Sequence, residues 1–361
     1  MNDSYFKPNS FLVERLAEPS QSQINKFKLL NRKNVALYSV ISAKPPIFYV
    51  PRWANSFDEF QSSYRLFFDY LKDVKSYFLC AWWSIIDTTE SVCAIKKHEL
   101  RLKRLYPNLT FVHLCNTTRQ SEVFLENHLD AIFCNHNCFV DENIYNPLPS
   151  AEKKFDAVYD ARLIPLKRHY LAAQISKLAL IYYVVPSEDD FAYIEEVKQQ
   201  FAGAHFFNHD DSGNYHSLSA VEVNEAINAC RTGLCLSEKE SAMYASIQYL
   251  LAGLPVVTTP SAGGRDVFFD SEYVLTVESN AGQVKNAVDE LLARNLDARF
   301  IRTKTLETMQ THRLNFISLV QSIYGAEAVD RNFSLEWNNV FSNKMLKYQN
   351  HQTVISAVFN R

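Results

Sequence analysis

The sequence predicts an α/β fold made of doubly wound parallel sheets in two domains, and three observations carry that expectation. Short apolar runs alternate with segments of helical period along most of the chain. Residues 234–270 show the pattern at its densest. An apolar run at 234–236 leads through a polar loop into a helical pattern with Met243, Ile247, Leu250 and Leu251 on one face. Gly253 stops that helix, a β-branched run follows at 256–259, and Gly263-Gly264 makes a second tight turn. Residues 146–154, NPLPSAEKK, are polar and Pro-rich and read as an interdomain linker. The first domain is therefore expected over 1–150 and the second over 151–330.

The elements follow in order. Residues 1–34 are polar, with Pro8 and Pro19, and the spacing of Ile24, Phe27 and Leu30 predicts a helix over 23–30. Strands are expected at 35–41 and 47–50, either side of Pro45-Pro46. Phe60, Tyr64, Phe67, Phe68 and Leu71 mark a helix over 58–74. An apolar strand over 77–86 precedes a strongly basic helix over 91–105. A strand at 109–115, a helix at 121–129 and a strand at 131–134 complete the first domain. In the second domain strands are expected at 155–159, 178–185, 205–207 and 273–276. Helices are expected at 189–201, 220–229 and 281–293, and residues 300–361 read as mostly helical.

Bulk properties bound the function classes. At 361 residues the chain can bury two cores, and 47% hydrophobic with 13% aromatic residues is a globular composition. A net charge of −3 gives no general attraction to nucleic acid. No run of about 18 apolar residues appears, so no membrane span is expected. The N-terminus lacks the apolar core of a signal peptide. Seven scattered cysteines, an odd number, favour reduced thiols and a cytoplasmic setting over a disulfide framework.

The chemistry is concentrated at two places. Glu240-Ser241-Ala242-Met243-Tyr244 lies where the helix of the 234–270 stretch begins. N–H groups and the dipole of a helix N-terminus suit a phosphate, and a carboxylate beside it can accept hydrogen bonds from sugar hydroxyls. Arg162 and Lys167 follow the first strand of the second domain, at the strand end where ligands of open α/β sheets gather. There Arg offers a planar fork and Lys a point charge to a diphosphate. Taken alone, a solvated basic loop and a dipole-complementing acid are the more ordinary explanations of these residues.

The run Glu240-Ser-Ala-Met-Tyr-Ala-Ser-Ile-Gln248, followed by Leu-Ala-Gly-Leu-Pro-Val-Val, resembles the donor motif of the family 4 retaining glycosyltransferases. Ser241 stands where that family usually has Gly, and Gln248 where it has a second Glu. The resemblance implies the GT-B fold, two Rossmann-like domains facing each other across a cleft, with a C-terminal helix near 331–361 returning to the first. It implies a nucleotide-diphosphate sugar as co-substrate and a glycan or lipid-linked glycan acceptor, as in capsule or O-antigen assembly. By the same resemblance Glu240 meets the donor sugar and Gln248 the ribose. Arg162 and Lys167 neutralise the leaving diphosphate, and residues 241–244 complete the donor site. Neither role requires a metal, and no Asp-x-Asp motif is present to hold one. Two rival classes share the resemblance: a GT-B nucleotide-sugar epimerase, and a non-catalytic relative that only binds, to which Ser241 and Gln248 would be suited.

Other candidates stand beside plainer readings. Related transferases carry a His facing the donor sugar near the position of His113, with Asn116 as a competitor; a structural histidine is the plainer reading. Gly263, Gly264 and Arg265 form either a turn needing positive φ or a loop that lets backbone approach the ligand. Cys134, His136 and Cys138 would share one face of a strand, a weak metal signature lacking a fourth ligand. Lys96, Lys97, Arg101, Lys103 and Arg104 form the one dense basic run. It reads as a solvated helix face or, more sharply, as a peripheral contact with anionic lipid at the inner face of the membrane. Trp82 and Trp83 belong either to the core or to an acceptor platform.

Overall fold

The computed structural model describes residues 33–54, 56–185 and 188–359. The helix expected at 23–30 lies outside the described residues. The chain forms two compact units, residues 1–139 with 311–361, and residues 140–310.

The first unit holds strands β1 (Val35–Ala43), β2 (Pro46–Arg52), β3 (Ser76–Trp82), β4 (Leu109–Cys115) and β5 (Ala131–Phe133). Its helices are α1 (Phe57–Tyr70), α2 (Thr89–Leu105) and α3 (Thr118–Glu126). β2 through β5 run parallel, and β1 is antiparallel to β2. β2 and β3 are buried along their whole length, as strands covered by helices on both faces must be. Phe48, Phe67, Phe68, Phe78 and Phe111 form the centre of the core. Helix starts follow local chemistry. The Thr88 hydroxyl accepts from the Ser91 N–H, and that of Thr117 from the Gln120 N–H, so α2 and α3 begin before their apolar periods do.

The second unit carries β6 (Phe155–Asp160), β7 (Leu178–Ile181), β8 (His205–Phe206), β9 (Cys230–Cys235), β10 (Val256–Thr258) and β11 (Val274–Thr276). The helices between them are α4 (Phe191–Gln200), α5 (Ala220–Asn228), α6 (Tyr244–Leu251) and α7 (Ala281–Arg294). Ser219 and Glu222 form a reciprocal capping box that starts α5. All six strands are parallel, in the order β11-β10-β9-β6-β7-β8. Counted along the chain this is the 3-2-1-4-5-6 arrangement, whose strand order reverses between β6 and β9.

α8 (Ala298–Ala326) carries the chain from the second unit back to the first. α9 (Phe333–Val340), β12 (Lys347–Asn350) and the short α10 (His351–Val354) follow. The mostly helical tail expected over 300–361 is interrupted here: β12 pairs antiparallel with β1, Val35 opposite Asn350. Its sequence, Lys-Tyr-Gln-Asn, has no apolar alternation because an edge strand buries little side chain. Two expected strands are shorter than predicted. β3 ends at Trp82 and β7 at Ile181, because apolar residues beyond them continue into loops.

Candidate functional site

The reversal point between β6 and β9 is where a doubly wound sheet leaves a crevice at the strand ends. Both sequence-predicted places come to it. β6 runs out into residues 161–168, and β9 into residues 236–243. The Lys167 ammonium is paired with the Glu240 carboxylate, and their side chains are 15% and 12% exposed. Two residues 73 positions apart thus meet at adjacent strand ends.

The surrounding bonds explain why they meet. The Tyr159 hydroxyl, on β6, donates to the Lys167 carbonyl at 2.6 Å. Arg168 adopts left-handed backbone, φ 51° and ψ 46°, uncommon for a residue with a Cβ. Its guanidinium donates to the Leu236 carbonyl at 2.7 Å, the Thr259 hydroxyl at 2.8 Å and the Ser279 hydroxyl at 3.1 Å. Arg168 therefore ties the Lys167 turn to the segments that follow β9, β10 and β11. Burial and the nearby Lys167 push the neighbouring His169 down to about 4, so that ring is neutral.

The Glu240 loop is braced from the glycine turn. Ala262 N–H donates to Glu238 O, Glu240 N–H to Ala262 O, and Gly264 N–H to the carbonyls of Glu240 and Ser241. Gly263 has φ 99°, a conformation that a side chain would oppose. Arg265 is fully buried. Its five N–H donors go to the carbonyls of Cys235, Ser237 and Thr259 and to Asp266. Its part is to hold the ends of β9 and β10.

α6 starts at Tyr244, and the N-cap residue Met243 makes no side-chain capping hydrogen bond. It ends in a Schellman motif: Leu254 N–H reaches Tyr249 O, Gly253 N–H reaches Leu250 O, and Gly253 has φ 76°. Gln248 is 3% exposed, buried like every residue of α6 from Ala245 to Leu251. Ser241, Ala242 and Tyr244 are partly exposed beside Glu240, and Met243 is buried. Tyr249 is fully buried and its hydroxyl accepts from Asp160 N–H at 2.6 Å. A Cβ on Gly233 would lie 2.3 Å from the Tyr249 ring, so that glycine makes room for the ring.

Arg162 is held differently from Lys167. Its Nε and Nη2 both donate to Asp189 Oδ1, and its Nη1 donates to Glu188 Oε2 at 3.1 Å. Its Cζ lies 5.8 Å from the centre of the Tyr183 ring, which is 55% exposed. Arg168, Asp189, Tyr249 and Gly233 were not legible in the sequence as members of this neighbourhood. Their signals are a cation beside Lys167, an acid before a helix, and one glycine inside an apolar strand.

In the first unit the expected contacts are taken up internally. His113 is fully buried; Trp82 Nε1–H donates to its Nδ1 at 3.2 Å, and its Nε2 lies 3.3 Å from Glu99 Oε1. Glu99 also pairs with buried Arg52 at 2.7 Å. Burial alone would raise Glu99; His113 and Arg52 outweigh it and hold it at about 2. The Asn116 amide donates to Trp82 O and accepts from His136 N–H, so it fixes the end of β4. Cys134, His136 and Cys138 do not share a strand face, because 136–139 is a turn of 3-10 helix. Trp82 is core, whereas Trp83 packs on Trp53, itself 40% exposed, with ring centres 5.3 Å apart. On α2 the basic run divides. His98 and Glu99 face inward, Lys96 donates to Asn127 O, and Lys97, Lys103 and Arg104 are exposed.

No protein-family model matches the chain, and no curated protein matches it. Solved structures do. HepE from Anabaena, in complex with UDP, is 13% identical with a TM-score of 0.51, the match covering 72% of this chain and 81% of that one. Sucrose-phosphate synthase from Thermosynechococcus elongatus is 15% identical with a TM-score of 0.51, covering 78% and 74%. A trehalose-6-phosphate synthase, studied for glycosyltransfer with retention, is 12% identical with a TM-score of 0.51, covering 76% and 73%. The chain has the GT-B fold. That likeness accords with its two α/β units, each built on a mainly parallel sheet.

Proposed function

We propose that this chain is a retaining glycosyltransferase that moves a sugar from a nucleoside-diphosphate donor to a glycan or lipid-linked glycan. Assembly of a cell-surface polysaccharide is the setting that fits it, in the cytoplasm and against the inner face of the membrane. The observation that carries the reading is the Lys167–Glu240 pair at the reversal point of the second sheet, beside the start of α6. UDP bound to HepE, and transfer with retention by the trehalose-6-phosphate synthase, support it by likeness of fold.

The roles follow from charge and position. In the donor complex the Lys167 ammonium exchanges its carboxylate for the leaving phosphate and stabilises the charge that develops there. Glu240, released from Lys167, accepts from sugar hydroxyls and fixes the ring, so its contribution is positional. The N–H groups of the first turn of α6 add donors to the diphosphate. Gln248 reads the ribose as a neutral amide. With side-chain cations on the diphosphate, turnover should survive EDTA.

The test has two stages. A thermal-shift panel of UDP, GDP and ADP and their glucose conjugates asks whether any donor binds the folded chain. NMR of the transferred sugar then reads its anomeric configuration. A product of inverted configuration overturns retention. A new sugar nucleotide in place of a glycoside makes the chain an epimerase, and binding without conversion makes it a binding protein.

A further inference from the structure

The two cations offered to the diphosphate are both already paired, and Arg162 is paired twice, with carboxylates of opposite character. Asp189 is 2% exposed. Its Oδ1 receives Nε and Nη2 of Arg162, and its Oδ2 receives the Val185 N–H at 2.6 Å. That pairing holds Nε and Nη2 of the guanidinium and leaves Nη1 to another partner. Glu188 takes Nη1 at 3.1 Å and is 62% exposed. A buried, doubly engaged carboxylate orients a guanidinium; an exposed one only visits it.

We propose that Asp189 is a positioning residue that aims Arg162 at the diphosphate, and that Glu188 is a built-in competitor for the same N–H groups. The proposal rests on reading this site as a nucleotide-sugar site. Before a donor binds, Glu188 occupies Nη1. A bound diphosphate carries more charge than one carboxylate and displaces it, while Asp189 stays in place. Donor affinity is therefore set lower than the cations alone would give, and release of the nucleoside diphosphate after transfer is helped by a carboxylate waiting to return.

Because the two acids are neighbours in the chain, a general disturbance of the loop would move both variants the same way, whereas the proposal requires opposite signs. The experiment is calorimetric titration of the full chain with UDP, GDP and ADP, then of the Glu188→Gln and Asp189→Asn variants with whichever binds tightest and with its monophosphate. Glu188→Gln should tighten diphosphate binding by up to about fivefold, the range of an exposed ion pair. Asp189→Asn keeps an acceptor for Val185 but loses the charge. It should weaken the diphosphate by about tenfold or more and lower the ratio of diphosphate to monophosphate affinity, a ratio that mere loosening of the loop would leave alone. Unchanged or weaker binding by Glu188→Gln, or an unchanged ratio in Asp189→Asn, overturns the inference while leaving the donor site standing. Failure of the parent chain to bind any of the three overturns both.

Discussion

Lys167 lies on a turn whose left-handed neighbour, Arg168, is fastened to three separate segments. Such a backbone persists only where its surroundings over-determine it. The lysine side chain bonds Glu240 and the turn is held by other groups, so the side chain can be removed without unfastening the turn, though Glu240 then loses its partner. Lys167→Ala should stay folded, with some loss of melting temperature, and lose turnover by about 3 kcal/mol of barrier, the scale of one lost electrostatic donor. Turnover within a few-fold of the parent in a steady-state assay would remove Lys167 from the chemistry. At this scale the sequence singles out Arg162, Lys167 and Glu240 because strand ends and helix starts are where ligand-binding charges sit, and the structure brings Lys167 and Glu240 together there. The link from Arg162 to Asp189, 27 residues away, was not legible, since no local pattern encodes a partner contributed by the next loop. His113 lies buried beside Trp82 and Glu99.

Among the elements, β9 and α6 depend on each other through a missing side chain. Gly233 lies in β9, and the Tyr249 ring of α6 fills the space its Cβ would take, the nearest ring atoms 2.3 and 2.5 Å away and the Tyr249 Cβ 2.9 Å. Gly233→Ala would push the tyrosine off β9 and break its bond to Asp160 N–H. The cost should be about 1–3 kcal/mol, the scale of overpacking a full core. A melting temperature equal to the parent's would mean the helix shifts at no cost. α2 poses a different question, because Lys97, Lys103 and Arg104 are exposed on it. If they dock on lipid, the protein should float with anionic vesicles at low salt, stay behind at high salt, and ignore neutral vesicles. Equal flotation with both vesicle types would make this a solvated face. Elements with a strong apolar period, such as β4 and α7, match their predicted spans closely. β12 went unread because a polar edge strand carries no such period.

Across the molecule, acid should act first on the unit containing residues 33–139. Burial pushes His98 and His136 down to about 3 and His312 to about 4, with Arg52 adding to the effect at His98. These rings are neutral when folded and take a proton once unfolded, so their contribution is present above 6.5, their ordinary value, and is lost as pH falls below it. Each should cost about 1.4 kcal/mol per pH unit below that point. Glu99, held at about 2, adds its own loss only at pH values below those of an ordinary carboxyl group. Thermal melts at about pH 7.5 and about pH 5.5 should show a marked fall, set by the histidines alone. A flat response would mean that these rings are solvated. The return of the chain to its first unit has a consequence for synthesis on the ribosome. The second unit is complete once residue 310 has emerged, whereas β1 must wait for Lys347–Asn350 to take its outer edge. Units fold as they emerge. The unit translated first is thus the one finished last, and until then the nascent chain exposes an open strand edge that a chaperone or a neighbouring nascent chain could pair with.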